Sequence, residues 1–499
     1  MSPHMTPEEF RHHGKQVVDW IADYLAGIES RPVVSPVRPG EIRGALPAHP
    51  PERGEPFESV LADLERVLLP GITHWQHPGF FGYFPSNSSG PAILGDLLSS
   101  GLGVQGMLWV TSPACTELET VVLDWLAELL GLPDRFRTDA AGGGVIQDSA
   151  SSACLVALLA ALHRAGGGRV AAEGVDRRYT LYVTSQTHSS LEKAARIAGL
   201  GAAAVRVVDV DPRTLAMDPG HLRALLAGDE AAGAAPAMVC ATVGTTSTTA
   251  VDPVAAIGAV CRERGVWLHV DAAYAGVAAV CPEFRWLNDG VAEYADSYAT
   301  NPHKWLLTTF DCGVLWTADR APLLGALSIL PEYLRNAATD SGSVVDYRDW
   351  QVPLGRRFRA LKLWSVIRWY GAEGLRAHIR KGVALAGELA RWITADPGFE
   401  LHEPRPLGLV CVRPLWPGLT EEEADEATLR LMELLNASGT MCLTHTRIAG
   451  RVTLRIAIGA PATERRHVAQ AWARLRREHA ALRAALAGRP RVRKGRGSG

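Results

Sequence analysis

Between about residues 140 and 320 short β-branched runs alternate with stretches of helical periodicity, and this alternation constrains the chain more than any other feature. Runs at 180–184, 204–210, 238–243, 267–270, 297–300 and 314–316 read as strands; 150–163, 189–199 and 253–264 read as helices between them. Strands joined through helices pair side by side only by crossovers, and each crossover helix covers a sheet face. The expectation is a large α/β domain built on a mostly parallel sheet. Open sheets of this kind bind ligands beyond the C-terminal ends of their strands, which is where chemistry is to be sought.

The flanks read differently. Thr6-Pro7-Glu8-Glu9 has the form of a capping box with proline in the first turn, and Val17, Trp20, Ile21 and Tyr24 follow at helical spacing. Residues 31–56 are rich in proline and glycine and read as a connector that lays this helix against another surface, a second subunit being one candidate. Near residue 401 an α+β lobe begins, with strands at 409–412 and 452–458 and helices at 421–435 and 463–486. The expected division is an N-terminal helical arm over 1–80, a cofactor-binding large domain over 81–385, a small C-terminal domain over 386–487 and a disordered basic tail over 488–499.

A chain of 499 residues with 47% hydrophobic and 21% charged residues has the balance of a soluble globular protein, and a net charge of −2 gives no reason to expect nucleic acid. The eight cysteines are scattered without a C-x-x-C pair, which signals neither a zinc site nor a disulfide framework. Residues 1–16 carry charge and proline instead of an apolar leader, and no window approaches membrane-spanning length. A cytoplasmic protein with no membrane partner is expected.

Chemistry concentrates at strand ends. Asn301-Pro302-His303-Lys304-Trp305 follows one candidate strand, and Asp271 ends another in Trp267-Leu268-His269-Val270-Asp271-Ala272-Ala273-Tyr274. A lone lysine at a strand end is ordinarily a solvated surface residue, and an aspartate at a strand-to-loop junction is often a cap. Together they match what pyridoxal 5′-phosphate (PLP) requires: an amine for its aldehyde and a carboxylate to keep its ring nitrogen protonated. Gly142-Gly143-Gly144-Val145-Ile146-Gln147-Asp148-Ser149-Ala150-Ser151 runs from a glycine cluster into a helix, whose free amides and dipole attract an anion; it reads equally as a flexible loop with a serine cap. His188, opening another helix, can stack on a flat ring or simply cap.

These segments, with His77-Pro78-Gly79-Phe80-Phe81-Gly82-Tyr83-Phe84-Pro85 and Ser112-Pro113-Ala114-Cys115-Thr116-Glu117-Leu118-Glu119, resemble the group II PLP-dependent amino-acid decarboxylases, most closely the aromatic-L-amino-acid decarboxylases. The resemblance spans Thr6 to about Ala484. It implies the fold-type I, aspartate aminotransferase-like architecture and a homodimer with active sites at the subunit interface. It implies Lys304 as the lysine that binds PLP, Asp271 on the pyridine nitrogen, His188 on the ring, Ser149, Ala150, Ser151, Asn301 and His303 around the phosphate, and Thr246 and Ala273 near the ring. Pro331-Glu332-Tyr333-Leu334-Arg335, followed by Asp340-Ser341-Gly342, resembles the family's mobile catalytic loop. Tyr333 matches the tyrosine that returns a proton to Cα once carbon dioxide has left; in related aldehyde synthases phenylalanine stands there.

For the substrate, the resemblance points to Trp75, Tyr83, Phe84, Pro85, Ser86, Gln105, Met107, His188, Gly355 and Arg455. Apolar and aromatic walls suit an aromatic side chain, whereas an acidic substrate would want a cation in the side-chain pocket. Trp75, Tyr83 and Phe84 also read as plain core, and Arg455 as a surface or interface pair. Ser86, Gln105, Met107 and Asp148 depart from the animal members, which have threonine at the first, more apolar residues at the next two and glycine at the last. Asp148 is expected to turn its carboxylate away from the anion. The reading is decarboxylation of tryptophan, tyrosine, dihydroxyphenylalanine or phenylalanine to the arylalkylamine; the alternatives are an aromatic aldehyde synthase, a transaminase or a non-catalytic homologue.

Overall fold

The computed structural model describes residues 4–329, 337–340 and 344–487. They form two compact units, one of Ser86–Ala386 and His402–Leu409, the other of Met1–Pro85, Gly387–Leu401 and Val410–Gly499.

The larger unit is organised by a seven-stranded sheet of β1 (Gly143–Gln147), β2 (Tyr179–Thr184), β3 (Val205–Val208), β4 (Ala235–Thr242), β5 (Trp267–Asp271), β6 (Ser297–Thr300) and β7 (Gly313–Thr317), in the order β1-β7-β6-β5-β4-β2-β3. β6, β5, β4, β2 and β3 run parallel, while β7 is antiparallel to both its neighbours. Every residue of β1, β2, β5, β6 and β7 is buried, as strands covered on both faces must be, so none of them shows the alternation of buried and exposed positions that a strand with one solvated face has. The helix Ala150–Ala165 lies on the sheet through Ala153, Ala157, Ala160 and Ala161, and these small side chains pack with Val145, Leu181, Met238, Trp267 and Leu315 in one core.

No strand was expected at 143–147, where the glycine cluster read as an anion site or a flexible loop. Instead Gly143 and Gly144 are buried within β1. A Cβ on Gly142 would meet Thr317 O at 2.1 Å, and one on Gly144 would meet Trp316 Nε1 at 2.7 Å. The glycines are there to let β1 lie close against β7, not to supply flexibility.

In the smaller unit the helix Pro7–Ala26 carries the expected capping box: Thr6 Oγ1 accepts from Glu9 N at 3.2 Å and Glu9 Oε2 accepts from Thr6 N at 2.7 Å. Its four-stranded sheet, in the order β10-β11-β9-β8, comprises β8 (Phe399–Leu401), β9 (Leu409–Pro414), β10 (Thr444–Ile448) and β11 (Arg451–Ala457). β10 has the polar sequence Thr-His-Thr-Arg-Ile and gave no strand signal. It pairs with β11 because Ala449 and Gly450, at φ 49° and 77°, make the tight hairpin turn. No helix among the described residues is long and apolar enough to cross a membrane.

Candidate active site

Parallel pairing of β5 with β6 sets Asp271 opposite Ala299, so the chain leaves both strands at the same edge of the sheet. There Ala272 N donates to Ala299 O at 2.9 Å and Asn301 N to Ala273 O at 3.0 Å, locking the two exits together. Asp271 Oδ1 accepts from Ala273 N at 3.0 Å, a turn bond that fixes its rotamer and leaves Oδ2 for another partner. Lys304 follows in the short helix Pro302–Trp305, its amide donating to Asn301 O at 3.0 Å. Gly313, which opens β7 opposite Gln147, brings the third exit in: a Cβ there would meet Asn301 Oδ1 at 2.8 Å and Ser149 C at 3.0 Å. Ser149 and Asn301 therefore approach one another only across a glycine.

Around this edge the electrostatics are coupled. Burial pushes the His188 imidazole below its ordinary pKa, while the Asp271 charge pulls it up and Lys304 pushes it down, so the three groups share one field. His188 still keeps an open face, and its Nδ1 accepts from Ser190 N at 3.2 Å, fixing the ring at the head of the helix Ser190–Ile197. Capping and stacking are thus compatible. His303 accepts from Cys312 N at 2.9 Å and is pushed down to about 4 by burial, with Lys304 adding to the shift. Behind Asp271, His269 lies fully buried between Ser297 Oγ at 2.8 Å and Cys154 Sγ at 3.7 Å, and burial pushes it to about 4.

His269 and His303 should make the fold acid-sensitive. Their folded pKa lies below the unfolded value, so their contribution to stability is fully present above about pH 6.5 and is lost as pH falls toward 4. At pH 5 each costs roughly 2 kcal/mol relative to pH 7.5. Urea midpoints of the protein should fall correspondingly between those pH values; an unchanged midpoint would refute the buried-neutral assignment.

Ala150 is buried, Ser149 half-buried, Ser151 and Thr246 exposed, and Ala273 half-buried. Asp148 is exposed, with Oδ1 accepting from Ser149 N at 2.8 Å and lying 3.5 Å from Ser149 Oγ. Its carboxylate is thus engaged with the very residue expected to face the anion. Tyr333 and its neighbours over 330–336, and Ser341-Gly342, lie outside the described residues.

The substrate-side residues form two groups. In the smaller unit Trp75 and Tyr83 stack at 5.5 Å, and the buried Arg455 lies 5.2 Å over Phe84. Thr444 Oγ1 ties them together, accepting from Arg455 Nη1 at 2.9 Å and Tyr83 N at 3.3 Å; Pro85 is buried alongside in sequence. In the larger unit Gln105 Oε1 accepts from Arg356 N at 3.3 Å, next to exposed Gly355, and half-buried Met107 accepts from Arg348 N at 3.0 Å through its carbonyl. Ser86 begins that unit, half-buried. Sequence reasoning missed Gly313, Arg356 and the role of Glu119. Only Glu119 left a signal, as an acid on the apolar face of the helix Pro113–Leu130 between Cys115, Val122 and Leu123.

PLP fits these residues. Asn301 Oδ1 is buried without a hydrogen-bond partner beside Ser149, and since an amide presents oxygen or NH2 by a half-turn, Asn301 can offer a donor to a phosphate there. The head of the helix Ala150–Ala165 points at the same place, and its N-cap Ser149 spends no side-chain bond on capping. A lysine and a buried carboxylate at neighbouring strand ends, with an exposed imidazole in their field, are groups of the kind that PLP chemistry requires.

A family profile described as pyridoxal-dependent decarboxylase conserved domain matches residues 39–414. The chain is 48% identical over 469 residues to a phenylacetaldehyde synthase of Arabidopsis thaliana, covering 94% of this chain and 95% of that one. It is 46% identical over 477 residues to tryptophan decarboxylase 2 of Oryza sativa subsp. japonica, covering 95% of each. The crystal structure of Oryza sativa TDC with PLP and tryptamine superposes with a TM-score of 0.93 at 43% identity, over 97% of this chain and 99% of that one. The chain belongs to the pyridoxal-dependent decarboxylases. It is a PLP-dependent carboxy-lyase of fold type I.

Proposed function

We propose that this enzyme removes the α-carboxylate of an aromatic L-amino acid, releasing carbon dioxide and the arylalkylamine. The observation that supports the reading is that Asp271 ends β5 while Lys304 follows the end of its parallel neighbour β6, with the charges of both acting on His188, in a chain whose relatives include an aromatic amino-acid decarboxylase. Lys304 would bind the cofactor through its amine, and the Asp271 carboxylate would keep the ring nitrogen protonated. Ser149, Ala150, Ser151, Asn301 and His303 hold the phosphate, and Thr246 and Ala273 border the ring. Bound PLP supplies an electron-accepting ring for the pair released when carbon dioxide leaves. His188 fixes that ring by stacking, and Tyr333 Oη returns a proton to Cα. Trp75, Tyr83, Phe84, Pro85, Ser86, Gln105, Met107 and Gly355 receive the aromatic side chain, and Arg455 the carboxylate.

A second reading is favoured by the likeness to a phenylacetaldehyde synthase. It consumes dioxygen and water and yields aldehyde, carbon dioxide, ammonia and hydrogen peroxide. Tyr333 supports the amine, because prompt protonation of Cα removes the electron pair that dioxygen would take. Product analysis with tryptophan, tyrosine, dihydroxyphenylalanine and phenylalanine tests both: amine and carbon dioxide in equal amounts are expected from the wild type, and aldehyde with peroxide from Tyr333→Phe. Aldehyde from the wild type would overturn the reading.

The enzyme works as a homodimer with active sites at the interface. Leu94, Leu97, Leu98 and Leu102 support this, all at least half exposed on one face of the helix Gly90–Leu102, an apolar surface that monomers seldom leave to water. A fully active monomer in sedimentation would contradict it. All eight cysteines are free and buried, which accords with a reducing cytoplasm.

A further inference from the structure

One side of the helix Pro113–Leu130 buries Cys115, Val122, Leu123 and Leu126, and Glu119 lies among them with no exposed surface. A carboxylate at such a position must be paired. Its partner is Arg356, 4% exposed, which donates Nη1 to Glu119 Oε2 at 3.0 Å and Nη2 to Oε1 at 2.8 Å. Two further donors are engaged, Nη2 reaching Ile146 O at 2.8 Å and Nε reaching Gln351 Oε1 at 2.9 Å, and the guanidinium lies 4.6 Å over the Tyr347 ring.

Ile146 sits on β1, the edge strand, three residues before Ser149. Its amide donates to Glu119 Oε1 at 2.8 Å and its carbonyl accepts from Arg356, so the ion pair stands where an eighth strand would satisfy that edge. Through its main chain the same arginine holds another segment. Arg356 N donates to Gln105 Oε1 at 3.3 Å, and Gly106 N donates to Arg356 O at 3.1 Å. Gly106 is itself pressed on the helix, since a Cβ there would meet Cys115 Sγ at 2.5 Å.

We propose that Arg356, through Glu119, is a positioning residue that ties the wall of the substrate pocket to the cradle of the cofactor phosphate. The inference rests on the assignment of Ser149–Ser151 to the cofactor and of Gln105, Met107 and Gly355 to the substrate. Glu119 Oε1 serves Ile146 and Arg356 at once, so displacement of the pocket wall displaces the strand that leads into the cradle. The planar fork fixes orientation as well as distance, which a lysine ammonium at the same place does not.

The test uses Arg356→Lys, Glu119→Gln and the double variant Glu119→Leu/Arg356→Met, in which both buried charges are gone and the apolar volume is kept. PLP affinity is read from quenching of tryptophan fluorescence, the Ile146 amide from hydrogen exchange, and KM and kcat from cofactor-saturated enzyme. In the double variant the dissociation constant for PLP and KM should both rise about tenfold or more, with kcat held within about threefold. Arg356→Lys should show the same pattern more weakly, with faster exchange at Ile146. Folded variants with wild-type PLP affinity and KM, or a fall in kcat at unchanged KM, would overturn the coupling. If only Arg356→Lys folds, its exchange rate and KM decide: both unchanged reject the proposal, both raised uphold it. Wild-type protein that fails to bind PLP would instead remove the underlying functional assignment.

Discussion

Replacing Lys304 by alanine should abolish decarboxylation, with a fall of about 10⁴-fold or more, the scale on which loss of one member of a covalent catalytic unit falls. The fold should not notice. Lys304 is half-buried in a four-residue helix whose backbone is held independently of the side chain, by its own amide on Asn301 O and by Asn87 N on its carbonyl at 3.3 Å. Alanine is at least as good a helix former as lysine. Freed of cofactor, the variant should melt with the cofactor-free wild type; loaded with PLP and dialysed, it should lose its visible absorbance and release no carbon dioxide. A variant retaining more than about a hundredth of wild-type turnover would show that another amine serves the cofactor.

The second large effect is expected at Asp271. Asparagine is its isostere, and the amide oxygen can keep the 3.0 Å bond from Ala273 N, so the strand exit holds its shape. What disappears is the negative charge. In the proposed role of Asp271 that charge keeps the ring nitrogen of bound PLP protonated, so kcat should fall roughly 10²- to 10⁴-fold while the protein stays folded. His188 should respond too: the Asp271 charge raises its pKa, so Asp271→Asn should lower it further, an effect visible by NMR. Turnover within a few-fold of wild type would remove Asp271 from the mechanism.

Both predictions rest on residues that the sequence had already singled out. β5 and β6 were legible as short runs rich in strand-forming residues between helical stretches, and β6 is Ser297–Thr300 as expected. β1 and β10 were not. The first is rich in glycine, and the second has a polar sequence, so neither carries a strand's local signature; each is a strand because of what pairs with it. At the proposed site, Lys304 and Asp271 drew attention because PLP needs an amine and a carboxylate and both stand at strand ends, while their roles and that of His188 came from the family resemblance. The Glu119–Arg356 pair could not be found in this way, since its members lie 237 positions apart.

The sequence alone determined the crossover pattern, the edge of the sheet at which chemistry would gather and the kind of cofactor whose requirements Lys304 and Asp271 meet. These are local properties: periodicity, a residue type, a position after a strand. The tertiary structure alone decided how those residues come together. Gly313 admits Asn301 and Ser149 to one place, the Asp148 carboxylate turns onto Ser149 N, and Arg356 satisfies a buried acid, a strand edge and the Gln105 amide oxygen. Contacts of that kind depend on which surfaces the packed core leaves within reach, and no spacing along the chain encodes them.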